Sequence, residues 1–408
     1  MIPSHRQRFN QDYSEAKHAR FLALLQARCG EPVPFRHSET PCFLPGSLID
    51  TMARYGREIV EQLLANPRYQ RESRAAIPPE YNVPGEDAVP MFVQADFGLD
   101  AQLRPQLVEI QGFPTLYAYQ PLLAQSYRTA FGIDAELHAL PGGMDAREYH
   151  ALLSAALVGD HDPQNVVLLE IDPAHQKTRH DFLLTGQEYG VRTVDIGSVV
   201  KQGKGLFYHR DGKLTPIRRI YNRVIVDELV RRRIPMAFDF RDELDVEWAG
   251  HPNWFFRLSK FSLPYLDHPA VPRTRFLDGA RDIARPEDYV LKPLYSFAGS
   301  GVIVGPSAAQ LAAVPAEQRS QYILQERVDF RPVVDTPFGP TTPSAARSMW
   351  ISTRPSLPTP RAPTAAMFRM SWRTPNPGNR SSPRHWRICR KFSPMSKIRI
   401  SVSPFPTR

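Results

Sequence analysis

Apolar and polar positions divide this chain into three stretches of different rhythm. Near the start the apolar residues recur at helical spacing. Residues 14–29 predict a helix, with Ser14 as N-cap and Gly30 just past its end. In a second helix Ser47 and Asp50 give a capping-box-like start, and Leu48, Met52, Tyr55, Ile59 and Leu63 share one face. Pro78 and Pro79 then close a polar linker. From Met91 the pattern changes to strands alternating with helices, which predicts an α/β layer. Strands fall at 91–93 and 107–110, a helix at 116–126, a buried strand at 165–171, an amphipathic helix at 178–189 ending on Gly190, and a returning strand at 191–196. Gly203-Lys204-Gly205 reads as a turn, and 220–229 supplies a further strand with Asn222 and Arg223, followed by Asp227 and Glu228.

The third stretch carries the chemistry. Residues 290–306 read VLKPLYSFAGSGVIVGP: a short apolar run holding Lys292, a loop of small residues, and a second apolar run. The runs are too short and too β-branched for helix, so they predict a hairpin around Gly299-Ser300-Gly301. Small residues let a backbone approach an anion and aim several N–H groups at it, where a Cβ would obstruct. In a P-loop the lysine directly follows the glycines, and in kinases it lies on a strand after them. Here Lys292 precedes them, on the strand that enters the loop.

That order, followed by Tyr322-Ile323-Leu324-Gln325-Glu326-Arg327-Val328, resembles the nucleotide-binding half of the ATP-grasp superfamily. Lys260, after the aromatic cluster in HPNWFFRLSKF, matches a second phosphate lysine of that family by position and context. The segment EIQGFPT, with Glu109 and Gln111, resembles the glu-x-asn-x-x-x-pro-thr segment of glutathionylspermidine synthetase-like ligases. Gln111 replaces the asparagine, and one residue fewer precedes the proline. The match to glutathione synthetase-like ligases spans about residues 90–340.

The resemblance implies an α/β (α+β) chain in four parts: an N-terminal helical region (1–89), a pre-ATP-grasp or substrate layer (90–255), an incomplete ATP-grasp nucleotide subdomain (256–340) and a basic tail (341–408). It implies an ATP-dependent carboxylate–amine ligase using ATP and Mg2+, which forms an amide through an acyl phosphate. On that reading Lys260 and Lys292 neutralise phosphate charge, and Ser296, Gly299, Ser300 and Gly301 cover the phosphates. Gln325, Glu326 and Val328 frame adenine. Arg223, with Glu109 and Gln111, faces the carboxylate acceptor; the planar guanidinium fork suits two carboxylate oxygens at once, and it equally suits a surface ion pair. Asp335 is a more distant polar candidate, and the metal ligands are not identified.

Composition changes one part of this picture. The 408 residues carry a net charge of +9, but the last 68 hold thirteen of the 51 Lys and Arg and none of the 42 Asp and Glu, so the first 340 carry a balance of −4. At the chain-wide frequency about seven acidic residues belong in that tail, which instead has eleven prolines and eighteen serines and threonines. Such a composition buries too little to offset chain entropy, and predicts disorder. A second explanation is a reading frame slipped near residues 339–348, which would remove the magnesium carboxylates that the family carries there. The sequence therefore also allows a nucleotide-binding remnant without catalysis. A nucleic-acid binder, through arginines interleaved with Trp350, Trp372 and Trp386, explains less, because a slipped frame accounts for the same residues.

The other signals are exclusions. There is no G-x-G-x-x-G for a dinucleotide. Cys29, Cys42 and Cys389 are odd in number and lack metal-ligand spacing. A polar start and the lack of any long apolar run predict a cytoplasmic location, without a membrane partner.

Overall fold

The computed structural model describes residues 2–35, 37–113, 115–280, 283–296, 299–330 and 334–341, with strand segments at 350–352, 366–371 and 397–402. Its fold is mixed α/β, built on three main sheets and a set of N-terminal helices.

The capped helix forms as its sequence dictates. It spans Glu15–Cys29, Ser14 accepts a hydrogen bond from the Lys17 N–H, and Gly30 closes the end at φ 78°. Two helices of the N-terminal region were not expected, Pro3–Asp12 and Pro67–Ala75, the latter inside the stretch read as linker; farther along, Ala146–Val158 was also unpredicted, and Val226–Arg232 is a helix where 220–229 was read as a strand. Pro67–Ala75 is a solvated helix with few buried positions, Tyr69 and Ser73, so apolar periodicity hardly marks it. Its signals are polar ones, Asn66 as N-cap to the Tyr69 N–H and Pro67 at the first position. The helix Gly46–Ala65 begins one residue before Ser47, with Pro45 at the cap and no side-chain cap bond, so the Ser47/Asp50 box does not form. Its buried stripe runs through Ile49, Met52, Ile59, Val60 and Leu63, while Leu48 and Tyr55 lie at the margin.

Strands Gln94–Leu99 and Pro105–Gln111 form an antiparallel hairpin with an irregularity at Asp96/Phe97. This corrects the expected strand at 91–93, since the first strand starts only after Val93. All six residues of Gln94–Leu99 are buried, which erases the alternation that would have located it. Strand Lys397–Val402 pairs with its other edge, and Ala366–Ser371 lies beyond. Trp350–Ser352 pairs with Cys42–Leu44. The rest of the tail expected to be disordered lies outside the described residues.

The second sheet is parallel, in the order Glu247–Ala249, Arg219–Asn222, Val166–Glu170, Arg192–Asp195. Helix Arg179–Tyr189 crosses between Val166–Glu170 and Arg192–Asp195 and ends on Gly190 at φ 72°, as its sequence predicts. All of Val166–Glu170 is buried, because Val166 and Leu168 face one apolar core and Val167 and Leu169 another. The helix read at 116–126 instead spans Tyr119–Phe131, preceded by Leu116 at φ 63°.

The third sheet is antiparallel, ordered Thr274–Phe276, Tyr322–Glu326, Tyr289–Pro293, Ile303–Val304. The predicted hairpin is there, with Val290 opposite Val304 and Leu291 opposite Ile303. No helix among the described residues is long and apolar enough to cross a membrane.

Candidate functional site

Strand Tyr289–Pro293 is the middle of the third sheet, flanked by Ile303–Val304 and Tyr322–Glu326. Its register places Val290 opposite Gln325 and Lys292 opposite Ile323. Since strand side chains alternate, Lys292 and Gln325 share a face. Lys292 is 2% exposed. Its ammonium donates to the Val108 carbonyl at 2.9 Å and to Oε1 of Gln325. Gln325 in turn donates from Nε2 to Thr274 Oγ1 at 3.3 Å.

Lys260 arrives from a different part of the chain, at the start of a short 3₁₀ turn capped by Ser259. Its Nζ donates to the Ser296 carbonyl at 2.5 Å and lies 3.7 Å from Oε2 of Glu109. Two lysines separated along the chain therefore meet adjacent residues, Val108 and Glu109, of strand Pro105–Gln111. Both ammoniums are satisfied by protein oxygens, as buried charges require.

The loop entered from Lys292 holds Gly299 at φ 78° and Gly301 at φ 69°, conformations that an L side chain resists. A Cβ on Gly301 would also lie 2.8 Å from Pro293 Cγ. Gly299, Ser300 and Gly301 are exposed, so the loop tip is open to solvent. Ser296 is partly buried and its hydroxyl donates to the Pro293 carbonyl at 3.4 Å.

The structure thus brings together Glu109, Lys260, Lys292, Ser296 and Gln325. It separates Glu326, which is exposed on the opposite face of the sheet from Gln325, and Val328, which follows the strand's end. Asp335 lies in a separate hairpin, where its carbonyl accepts from Asn10. Gln111 ends its strand opposite Gln94.

Arg223 follows strand Arg219–Asn222 and is 4% exposed. Its N–H donates to the Leu169 carbonyl at 2.8 Å, and its guanidinium stacks 4.3 Å above the ring of Phe113, two residues beyond Gln111. Its link to the Glu109 segment therefore runs through Phe113. The segment is fixed from behind by Asp181, 1% exposed, whose carboxylate accepts from the N–H groups of Leu116 at 2.8 Å and Tyr119 at 3.0 Å. Sequence reading passed over Asp181 because a first-turn acid is an ordinary helix feature. It also missed Glu170, the last residue of the central parallel strand. Burial, opposed by the charge of Arg223, pushes the Glu170 carboxyl up to about 8.

Among the described residues no group of three or more His, Cys, Asp or Glu is placed to hold a metal ion. Among the described residues Glu109 brings a carboxylate to within 3.7 Å of the Lys260 ammonium.

No family model matches this chain, and no curated protein does. Among solved structures it is similar to the apo form of a glutathione synthetase-like effector from Globodera pallida. The two share 11% identity over 88% of this chain and 89% of that one, with a TM-score of 0.52. At that identity the likeness is one of fold: this chain has a glutathione synthetase-like fold.

Proposed function

We infer that the chain is built as an ATP-dependent carboxylate–amine ligase of the ATP-grasp type. The observation that carries this reading is the convergence of Lys260 and Lys292 on Val108 and Glu109, beside the loop of Gly299 and Gly301. A site for a polyphosphate needs two fixed cations and a loop whose backbone can close on oxygen, and those parts stand together here. The glutathione synthetase-like fold supports the same reading.

In such chemistry the γ-phosphoryl group passes to a carboxylate, and an amine then displaces phosphate from the acyl phosphate. The protein's task is mainly positioning and charge neutralisation. Lys260 and Lys292 would exchange the oxygens of Ser296, Val108 and Gln325 for phosphate oxygens, so nucleotide binding replaces existing hydrogen bonds. Gln325, already on the Lys292 face, is the better placed of the proposed adenine contacts, and Glu326 and Val328 the worse. Arg223 takes the acceptor carboxylate. On this reading 256–340 is the nucleotide subdomain and 90–255 the acceptor side.

Magnesium does not fit the described residues, which offer one carboxylate beside the lysines where a hard cation takes several oxygen ligands. No step is therefore assigned to it. That observation favours a second reading, a nucleotide-binding chain that does not turn over. Two proteins separate the readings: this chain, and one translated in the alternative frame after codon 340. An ADP-release assay over amino acids, short peptides and polyamines, with ATP binding measured alongside, is the test. A ligase predicts release by at least the second protein. ATP binding without release by either supports the non-catalytic reading, and no ATP binding by either removes both.

A further inference from the structure

The parallel sheet has a topological switch point. Strand Val166–Glu170 connects to Arg192–Asp195 through helix Arg179–Tyr189, whose Phe182, Leu184 and Tyr189 pack in the core facing Val166 and Leu168. Its other neighbour, Arg219–Asn222, connects outward to Glu247–Ala249 by way of helix Val226–Arg232, whose Leu229 packs on the opposite face with Val167 and Leu169. Two connections leaving adjacent parallel strands in opposite directions, on opposite faces, open a crevice at the strands' carboxyl ends, where open α/β sheets bind ligands.

Glu170 ends the first of these two strands and Arg223 directly follows the second, so both stand at the carboxyl ends of the switch point. By alternation Glu170 faces the side of Val166 and Leu168, and Arg223 the side of Tyr221, which shares their core. Two buried polar groups beside Arg223 are poorly matched. Glu170 is 3% exposed, and its one hydrogen bond among the described residues comes from the next residue, from the Ile171 N–H to Oε1 at 2.8 Å. The Tyr221 hydroxyl, on a side chain 1% exposed, has no hydrogen-bond partner among the described residues. Both feel the charge of Arg223. A buried hydroxyl and a buried carboxyl left so poorly matched cost stability unless a ligand completes them.

We propose that Glu170 and Tyr221 complete, with Arg223, a cradle for the carboxylate group of the acceptor substrate. Arg223 supplies the charge, the Tyr221 hydroxyl donates a hydrogen bond, and Glu170 in its protonated form donates another. The assignment rests on the ligase reading of Arg223 and extends it to two residues that the sequence did not single out. Burial keeps both donors protonated near neutral pH, since it raises the carboxyl to about 8 and the phenol well above its ordinary value. The charged groups facing Glu170 are Arg223, which favours its ionised form, and Glu228 and Asp195, which oppose it. Glu228 is engaged by Arg232 and Gln176, and Asp195 by the N–H groups of Asp172 and Gly197, so neither competes for the ligand. Once ionised, Glu170 would repel the bound carboxylate.

Two probes split the chemistry: N-acetylglycine carries a carboxylate without an ammonium group, and glycinamide the reverse. Each is titrated calorimetrically into the full chain at about pH 6.5 and about pH 9, with ATP titrated into the same samples. N-acetylglycine should bind at the lower pH and weaken about tenfold at the higher, as the competent fraction falls. Glu170→Gln keeps a donor and should bind with that pH dependence gone. Tyr221→Phe should weaken binding about three- to tenfold at both pH values. Binding of glycinamide alone, an unchanged pH profile in Glu170→Gln, or no binding of either probe would overturn the cradle. ATP binding by a chain that ignores N-acetylglycine sinks the cradle and leaves the nucleotide reading. N-acetylglycine binding with the expected pH profile, by a chain that ignores ATP, does the reverse.

Discussion

The Lys292 ammonium sits 2.9 Å from the carbonyl oxygen of Val108, a residue 184 positions away and next to Glu109. This contact docks the third sheet on strand Pro105–Gln111 and fixes a buried cation, the group to which the proposed function assigns the neutralisation of phosphate charge. Lys292→Ala should weaken ATP binding by about 1–3 kcal/mol, the range for a lost charge-assisted hydrogen bond. AMP should lose less, and calorimetry with both nucleotides checks the difference. Equal losses would mark a folding defect.

Glu109 lies 3.7 Å from the Lys260 ammonium, so it competes electrostatically with any anion there. Glu109→Gln should tighten metal-free ADP binding several-fold when titrated in a chelating buffer. Unchanged or weaker binding by the folded variant would count against phosphate contact by Lys260.

Gly301 combines φ 69° with a close approach to Pro293 Cγ. Gly301→Ala should cost roughly 1–2 kcal/mol through left-handed backbone strain. Because the loop tip is exposed, hydrogen exchange should rise locally around 291–303, with a smaller fall in melting temperature. A global loss of protection would show that the loop is coupled more widely.

Glu170 makes stability depend on pH in a defined direction. Its folded value is about 8, above the ordinary value of 4.5, so the folded state holds a proton that the unfolded state has released. Stability should fall as pH rises from about 4.5 to about 8 and then level off, by at most about 5 kcal/mol. Glu170→Gln should flatten that part of the curve. Urea unfolding at about pH 5 and about pH 9 measures it, and identical slopes in both proteins would refute it.

Asp181 accepts two backbone N–H groups across the boundary between helix Arg179–Tyr189 and the entry to helix Tyr119–Phe131. Asp181→Ala leaves both donors buried and should destabilise the chain by about 2–4 kcal/mol. Asp181→Asn, with one acceptor oxygen left, should lose about half as much. Denaturant midpoints compare the two.

The sequence by itself determined the elements whose causes are local. Ser14 and Gly30 bracket their helix because a cap needs only its own first or last turn. The Lys292 hairpin was visible because β-branched runs around a glycine loop leave few other conformations. The frame-like break in composition after residue 340 is likewise a property of residues alone.

Tertiary structure decided the rest. Gln94–Leu99 is covered on both faces, so it lost the alternation that marks a strand, and the strand was placed three residues too early. The Ser47/Asp50 box yielded to a helix that starts a turn's fraction earlier, at Gly46. Nothing in the spacing of Lys260 and Lys292 placed them at neighbouring residues of one strand. A carboxylate at a strand's end reads the same whether water or protein surrounds it, so Glu170 looked ordinary. Its perturbed state arises because the parallel sheet buries it beside Arg223, and that burial is a long-range fact which no local pattern encodes.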